Sequence, residues 1–90
     1  MSDITYKVQI EDRAEKALKS LEKKNRERAR NAIDQLAENP RPNNSKPLKG
    51  FSGIWRLRIG DYRIIYEIRD AELIVLVVEI GHRREVYRGM

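Results

Sequence analysis

Trp55 to Ile68 reads WRLRIGDYRIIYEI, two alternating runs joined by Gly60-Asp61. A two-residue loop that opens on glycine, the residue that takes positive φ most readily, predicts a tight antiparallel hairpin of the type II′ kind. That loop length fixes the register. Ile59 then faces Tyr62, Arg58 faces Arg63, Leu57 faces Ile64, Arg56 faces Ile65 and Trp55 faces Tyr66. Side chains alternate between the faces of a strand, so Trp55, Leu57, Ile59, Tyr62, Ile64 and Tyr66 share the side that must be covered. Arg56, Arg58 and Arg63 share the other. Any fold for this chain has to bury the first side and account for the second.

The remaining segments supply the cover. Ile4, Tyr6, Val8 and Ile10 alternate with Thr5, Lys7 and Gln9, the pattern of a half-buried strand. From Glu11 to Lys24 the spacing changes to Ala14, Ala17, Leu18 and Leu21, and it recurs at Ala29, Ala32, Ile33 and Leu36. That i, i+3, i+4, i+7 rhythm predicts two amphipathic helices with a break near Asn25. The alanines on both stripes allow close approach. The charged KKNRERAR between them reads as solvated surface. Pro40 ends the second helix near Asn39, and NPRPNNSKPLKG reads as an irregular connector. Three strands follow, over Gly53–Ile59, Tyr62–Arg69 and Glu72–Ile80, with Asp70-Ala71 as the second turn. The expected class is α+β, in the order β-α-α-β-β-β, with a two-helix hairpin on one face of a mainly antiparallel four-stranded sheet.

Ninety residues suffice for one modest core, so a single domain over 1–90 is expected. The longest apolar run, Leu73 to Val78, is too short to cross a bilayer, and Met1 to Ile10 alternates rather than forming a signal-peptide block. A cytoplasmic chain that needs no membrane is the expectation. With no cysteine and one histidine, His82, the sequence argues against a structural zinc or iron–sulfur site.

The net charge of +5 favours an anionic partner, and its distribution says more. All the lysines lie at or before Lys49, whereas residues 51–90 carry arginine alone: Arg56, Arg58, Arg63, Arg69, Arg83, Arg84 and Arg88. Arginine presents a planar fork suited to phosphate or carboxylate. A sheet face charged only for solubility would gain more from alternating signs than from Arg58 opposite Arg63. With Asp70-Ala71 as the loop, Arg63 would lie opposite Val78, and Leu76 and Val78 would share the arginine face. The chain then leaves the sheet as GHRREVYR, bringing Arg83 and Tyr87 close to the Arg58–Arg63 end. A basic, partly apolar face suits a stacked base and a phosphate, or an acidic, apolar peptide.

LKG at Leu48–Gly50, WRLRIGDYRIIYEI at Trp55–Ile68 and IGHRREVYR at Ile80–Arg88 resemble the RelE branch of the RelE/ParE superfamily of toxins from toxin–antitoxin pairs. The resemblance implies a ribosome-dependent endoribonuclease, working without a metal or other cofactor, that cuts messenger RNA in the ribosomal A site through attack by the neighbouring 2′-hydroxyl. It also implies a RelB-like antitoxin as silencing partner. Carried over by position, Arg56, Arg58, Arg63, Arg83 and Tyr87 become the catalytic set, and Lys49, His82 and Arg84 become contacts to RNA or the ribosome. Some RelE toxins have lysines where this chain has Arg56 and Arg58, so the groups that move protons, with Tyr87 and His82 as candidates, stay open. The alternative is a ParE-like toxin that inhibits DNA gyrase by binding, and the arginine–tyrosine pair in HRREVY separates the two.

Overall fold

The computed structural model describes residues 4–82. Its elements are β1 (Lys7–Ile10), α1 (Asp12–Lys19), α2 (Lys23–Gln35), β2 (Ser45–Pro47), β3 (Ile54–Ile59), β4 (Tyr62–Arg69), a 3₁₀ turn (Asp70–Glu72) and β5 (Ile74–His82). The strands form one mixed sheet in the order β1-β5-β4-β3-β2. β1 runs parallel to β5 and every other neighbour is antiparallel. The α+β class is as expected, but the sheet has five strands rather than four. The fifth, β2, comes from the connector. Ser45 accounts for it: its backbone N–H and its hydroxyl both donate to the Pro42 carbonyl, at 2.9 and 2.6 Å, which turns the chain onto the free edge of β3. An edge position tolerates Pro47, which has no N–H to offer a further strand.

The break between the helices falls at Ser20–Glu22, not near Asn25, which lies inside α2. Local hydrogen bonds favour the earlier stop. The Ser20 hydroxyl donates to the Ala17 carbonyl at 2.7 Å, and Arg26 reaches back to the Lys19 and Leu21 carbonyls at 3.4 Å. These satisfy carbonyls that the end of α1 would otherwise leave without partners. Arg30 pairs with Glu15 of α1 at 3.1 Å, so part of the charged KKNRERAR stretch stitches the two helices together. Regular winding of α2 ends at Gln35, and turn-type bonds carry it on until the Asn39 N–H donates to the Gln35 carbonyl.

Both helices lie on one face. Ala14 and Leu18 of α1 and Ala29, Ile33 and Leu36 from α2 and its end pack against Leu57, Ile64, Tyr66, Ile68, Val75, Val77 and Ile80 of the sheet. Residues without side-chain bulk at 14 and 29 let the helices sit close over this layer. Leu18 and Ile33 are fully enclosed, and deleting such a side chain to alanine typically costs about 2–5 kcal/mol.

A polar clamp closes the other end of the core. The buried Tyr66 hydroxyl donates to the Pro40 carbonyl at 2.7 Å, which anchors the connector. One residue on, Arg41 lies over the Trp55 ring at 5.2 Å and forks onto Asp70 at 3.2 and 2.8 Å, while the Tyr6 hydroxyl donates to the same carboxylate at 2.6 Å. Four segments distant in sequence meet there. The hydrogen bonds from Arg41 and then Tyr6 hold the Asp70 carboxyl below the usual carboxylate range.

Two outcomes follow for stability. Tyr66→Phe leaves the Pro40 carbonyl without its donor and should cost about 1–3 kcal/mol in denaturant unfolding, with unchanged dependence on denaturant. Because Asp70 binds its proton less readily folded than unfolded, its contribution is present above pH ~4 and is lost as the pH falls through the lower folded value. Melting temperature should therefore drop less steeply below pH ~4 in Asp70→Asn than in the parent, and parallel curves would show that the clamp contributes nothing.

Candidate functional site

The hairpin pairs as its loop length dictates: Ile59 with Tyr62, Arg58 with Arg63, Leu57 with Ile64, Arg56 with Ile65 and Trp55 with Tyr66. Gly60 takes φ +56°, and Asp61 does not enter the left-handed region. A Cβ at Gly60 would meet only the Arg28 guanidinium, at 3.6 Å, an ordinary contact. Backbone conformation rather than space therefore demands glycine there.

On the far face of the sheet, Arg56, Arg58 and Arg63 line one recess of about 250 Å³ together with Lys46, Asn43 and Asn44. Lys46 pairs with Arg56 across β2–β3 and so projects on the same side. Asn44 fixes the rim: its amide donates to the Arg58 carbonyl at 3.0 Å, and its own carbonyl accepts the Arg58 N–H at 3.2 Å. Beneath the charges, Ile65 is fully buried although it faces away from the helices, with Arg56 and Glu79 as its cross-strand partners. The aliphatic stems of long charged side chains provide such cover.

Among the described residues no acid lines the recess. Of the described residues, the strand acids on this face are engaged elsewhere, Glu79 by Arg13 at 3.1 Å and Glu67 by Arg69 at 2.6 Å. Among the described residues no ion pair holds Arg58, Arg63 or Lys46, and the Nη1 of Arg63 is buried with no hydrogen-bond partner. A buried cationic N–H without an acceptor is costly, and an oxyanion entering the recess would remove that cost.

The other expected residues are distributed differently. Lys49 lines an open groove of about 520 Å³ that shares Lys46 and Arg56 with the recess. His82 pairs with Tyr62, in edge-to-face contact at 6.1 Å, and lines a separate depression with Ala17, Ser20, Leu21 and Glu22 on the helix side. The structure therefore does not bring His82 together with the arginines. Arg83, Arg84 and Tyr87 lie outside the described residues.

The partner of Arg63 on β5 is Gly81, not Val78. The second turn encloses four residues instead of two, ending on Leu73 at φ +55°, and β5 bulges where Ile65 pairs with Glu79 but Tyr66 pairs with Val77. Val78 is the extra residue. Leu76 does face this side, opposite Glu67. Asn43, Asn44 and Lys46 were missed in the sequence because they sit in a proline-broken stretch with no strand-length alternation. Among the described residues no cluster of His, Asp and Glu is assembled that could hold a metal ion, and no helix is long and apolar enough to cross a membrane.

The family model described as ParE toxin of type II toxin-antitoxin system, parDE, matches residues 8–87. The RelE1 protein of Methanocaldococcus jannaschii is 31% identical over 87 residues, covering 93% of this chain and 97% of that one. The chain belongs to the RelE branch of the RelE/ParE toxin superfamily. The mRNA interferase toxin RelE of Escherichia coli is 30% identical over 88 residues, covering 93% of this chain and 92% of its own. The RelE of the archaeal RelE–RelB complex from Pyrococcus horikoshii superposes with a TM-score of 0.80 at 30% identity, covering 90% of this chain and 98% of that chain. The five-stranded sheet with its helix pair is thus a RelE fold, and the arginine recess lies on the sheet face that the helices leave open.

Like charges opposed across a ladder are destabilising, by about 0.2–1 kcal/mol for a direct pair. Arg58→Gln should therefore raise the melting temperature of this RelE-family chain by roughly 1–5 °C at low salt, with the gain shrinking as salt screens the pair. A lower melting temperature would mean that Arg58 stabilises the fold instead.

Proposed function

We propose that this chain is a toxin that cuts messenger RNA in the ribosomal A site and is silenced by a RelB-like antitoxin. The observation that carries this reading is the recess lined by Lys46, Arg56, Arg58 and Arg63, with no acid among its described lining residues and the Arg63 Nη1 buried and unpartnered. Its support comes from the names of the relatives: the E. coli protein is an mRNA interferase, and the P. horikoshii protein is seen with RelB.

In this reading the 2′-hydroxyl of one nucleotide attacks the adjacent phosphorus, and the bond to the 5′-oxygen of the next nucleotide breaks. Negative charge builds on the non-bridging oxygens at the crowded phosphorane. Arg58 and Arg63, held across from each other on paired strands, supply fixed donors for those oxygens, and Arg56 and Arg83 complete the set. Donors fixed in advance cost no reorganisation when the charge appears. Tyr87 stacks on a base or orients the hydroxyl. Lys49, His82 and Arg84 contact RNA or the ribosome, His82 from the helix side of the sheet.

A second reading has its own observation: the matching family model is that of a ParE toxin, and a ParE-like chain would inhibit DNA gyrase by binding. The arginine and tyrosine of HRREVY weigh against it.

Primer extension on a defined messenger, with and without programmed ribosomes, decides between them. Cuts within A-site codons should require ribosomes and fall about 10²–10³-fold with Arg63→Ala, the usual loss for one preorganised donor. A folded protein that arrests growth but leaves the messenger intact would transfer the weight to gyrase.

A further inference from the structure

The edge strand β2 contributes one side chain to the open face of the sheet. Ser45 is buried and pairs with Leu57, Pro47 pairs with Trp55 on that same helix-facing side, and Lys46 alone, opposite Arg56, projects into the arginine recess. The wall that carries it is held in place. The hydrogen bonds between Asn44 and both backbone groups of Arg58 tie the connector to β3 before this position, and the Leu48 N–H, donating to the Ile54 carbonyl at 2.9 Å, ties it after. Asn43 adds a neutral polar lining residue. At about 250 Å³ the recess is far larger than the roughly 30 Å³ share of one liquid water, so it has room for a phosphate and part of its sugar.

We propose that Lys46 is a positioning residue that holds one backbone phosphate of a single RNA strand in this recess, opposite Arg63. The inference rests on the RNA-cutting reading above but assigns to Lys46 binding rather than chemistry. Three features carry it. Among the described residues no acid lines the recess, the Arg63 Nη1 is enclosed without an acceptor, and Lys46 is aimed there by register. An edge lysine can instead serve only to discourage strand addition, and that role predicts no effect on RNA.

Binding of a labelled, uncleavable 2′-O-methyl RNA to the full chain, followed by anisotropy across salt concentrations, tests the proposal apart from cleavage. One phosphate contact to a single strand contributes about 0.7 to the slope of log affinity against log salt. Lys46→Gln should remove about that much slope and weaken binding about five- to tenfold at 50 mM salt, and Lys46→Arg should restore both. Lys16→Gln, on exposed α1, should leave the slope unchanged. On programmed ribosomes Lys46→Gln should raise KM with little change in kcat. An unaltered slope in Lys46→Gln, an equal loss in Lys16→Gln, or no binding by the parent chain would each overturn the proposal. A parent chain that binds with the Lys46-dependent slope yet never cuts would sustain the phosphate site while removing the nuclease reading.

Discussion

The left-handed turn at Gly60 sets the positions of both the core and the recess. With φ at +56° the strands can be joined by two residues, and that loop length puts Arg58 across from Arg63 and Leu57 across from Ile64. A slip of one residue would exchange the faces, driving arginines under the helices and Ile64 and Tyr66 into water. Burial of the latter pair against Leu18, Ile33 and Leu36 therefore enforces the like-charge opposition on the far side. The fold tolerates that opposition because the cost of a single cross-strand pair is small beside the cost of exposing a core face.

The helix side and the open side of the sheet answer to different constraints. On the helix side the residues are held by packing and by the Tyr66–Pro40 and Arg41–Asp70 contacts, which tie the connector down at its start. That anchoring places Asn43, Asn44 and Lys46 beside β3. On the open side, the bulge at Val78 moves the β5 register so that Gly81, rather than a side chain of any size, faces Arg63.

This division also explains what could be read from the sequence. The hairpin was legible because period-2 alternation and a Gly-led loop are local signals, and they fixed which arginines share a face. Helix existence was legible from the Ala14–Leu21 and Ala29–Leu36 stripes, but the break was not, because Ser20 and Arg26 act through carbonyl capping that leaves little trace in the apolar pattern. β2 was hidden for a related reason. Three residues give too short an alternation, and its pairing depends on the connector being anchored by the distant Tyr66 and Asp70. The second turn looked like two residues because Leu73 in a left-handed conformation is uncommon for a bulky side chain.

The surface ion pairs around the recess acquire their meaning from position rather than strength. Arg13–Glu79 and Arg69–Glu67 join partly exposed side chains, and such pairs contribute only about 0–1 kcal/mol each. Their effect on the electrostatics is larger than that figure suggests. Glu79 sits across from Ile65, which separates it from Arg56 two strands away, and a carboxylate swung toward the recess would compete with any incoming oxyanion. Arg13 reaches it beyond Ile10, where β1 ends and leaves the edge of β5 uncovered. The shortness of β1 thus has a consequence at the opposite face of the sheet. It admits a helix arginine to Glu79, so that this carboxylate is held by Arg13 and not by Lys46, Arg58 or Arg63.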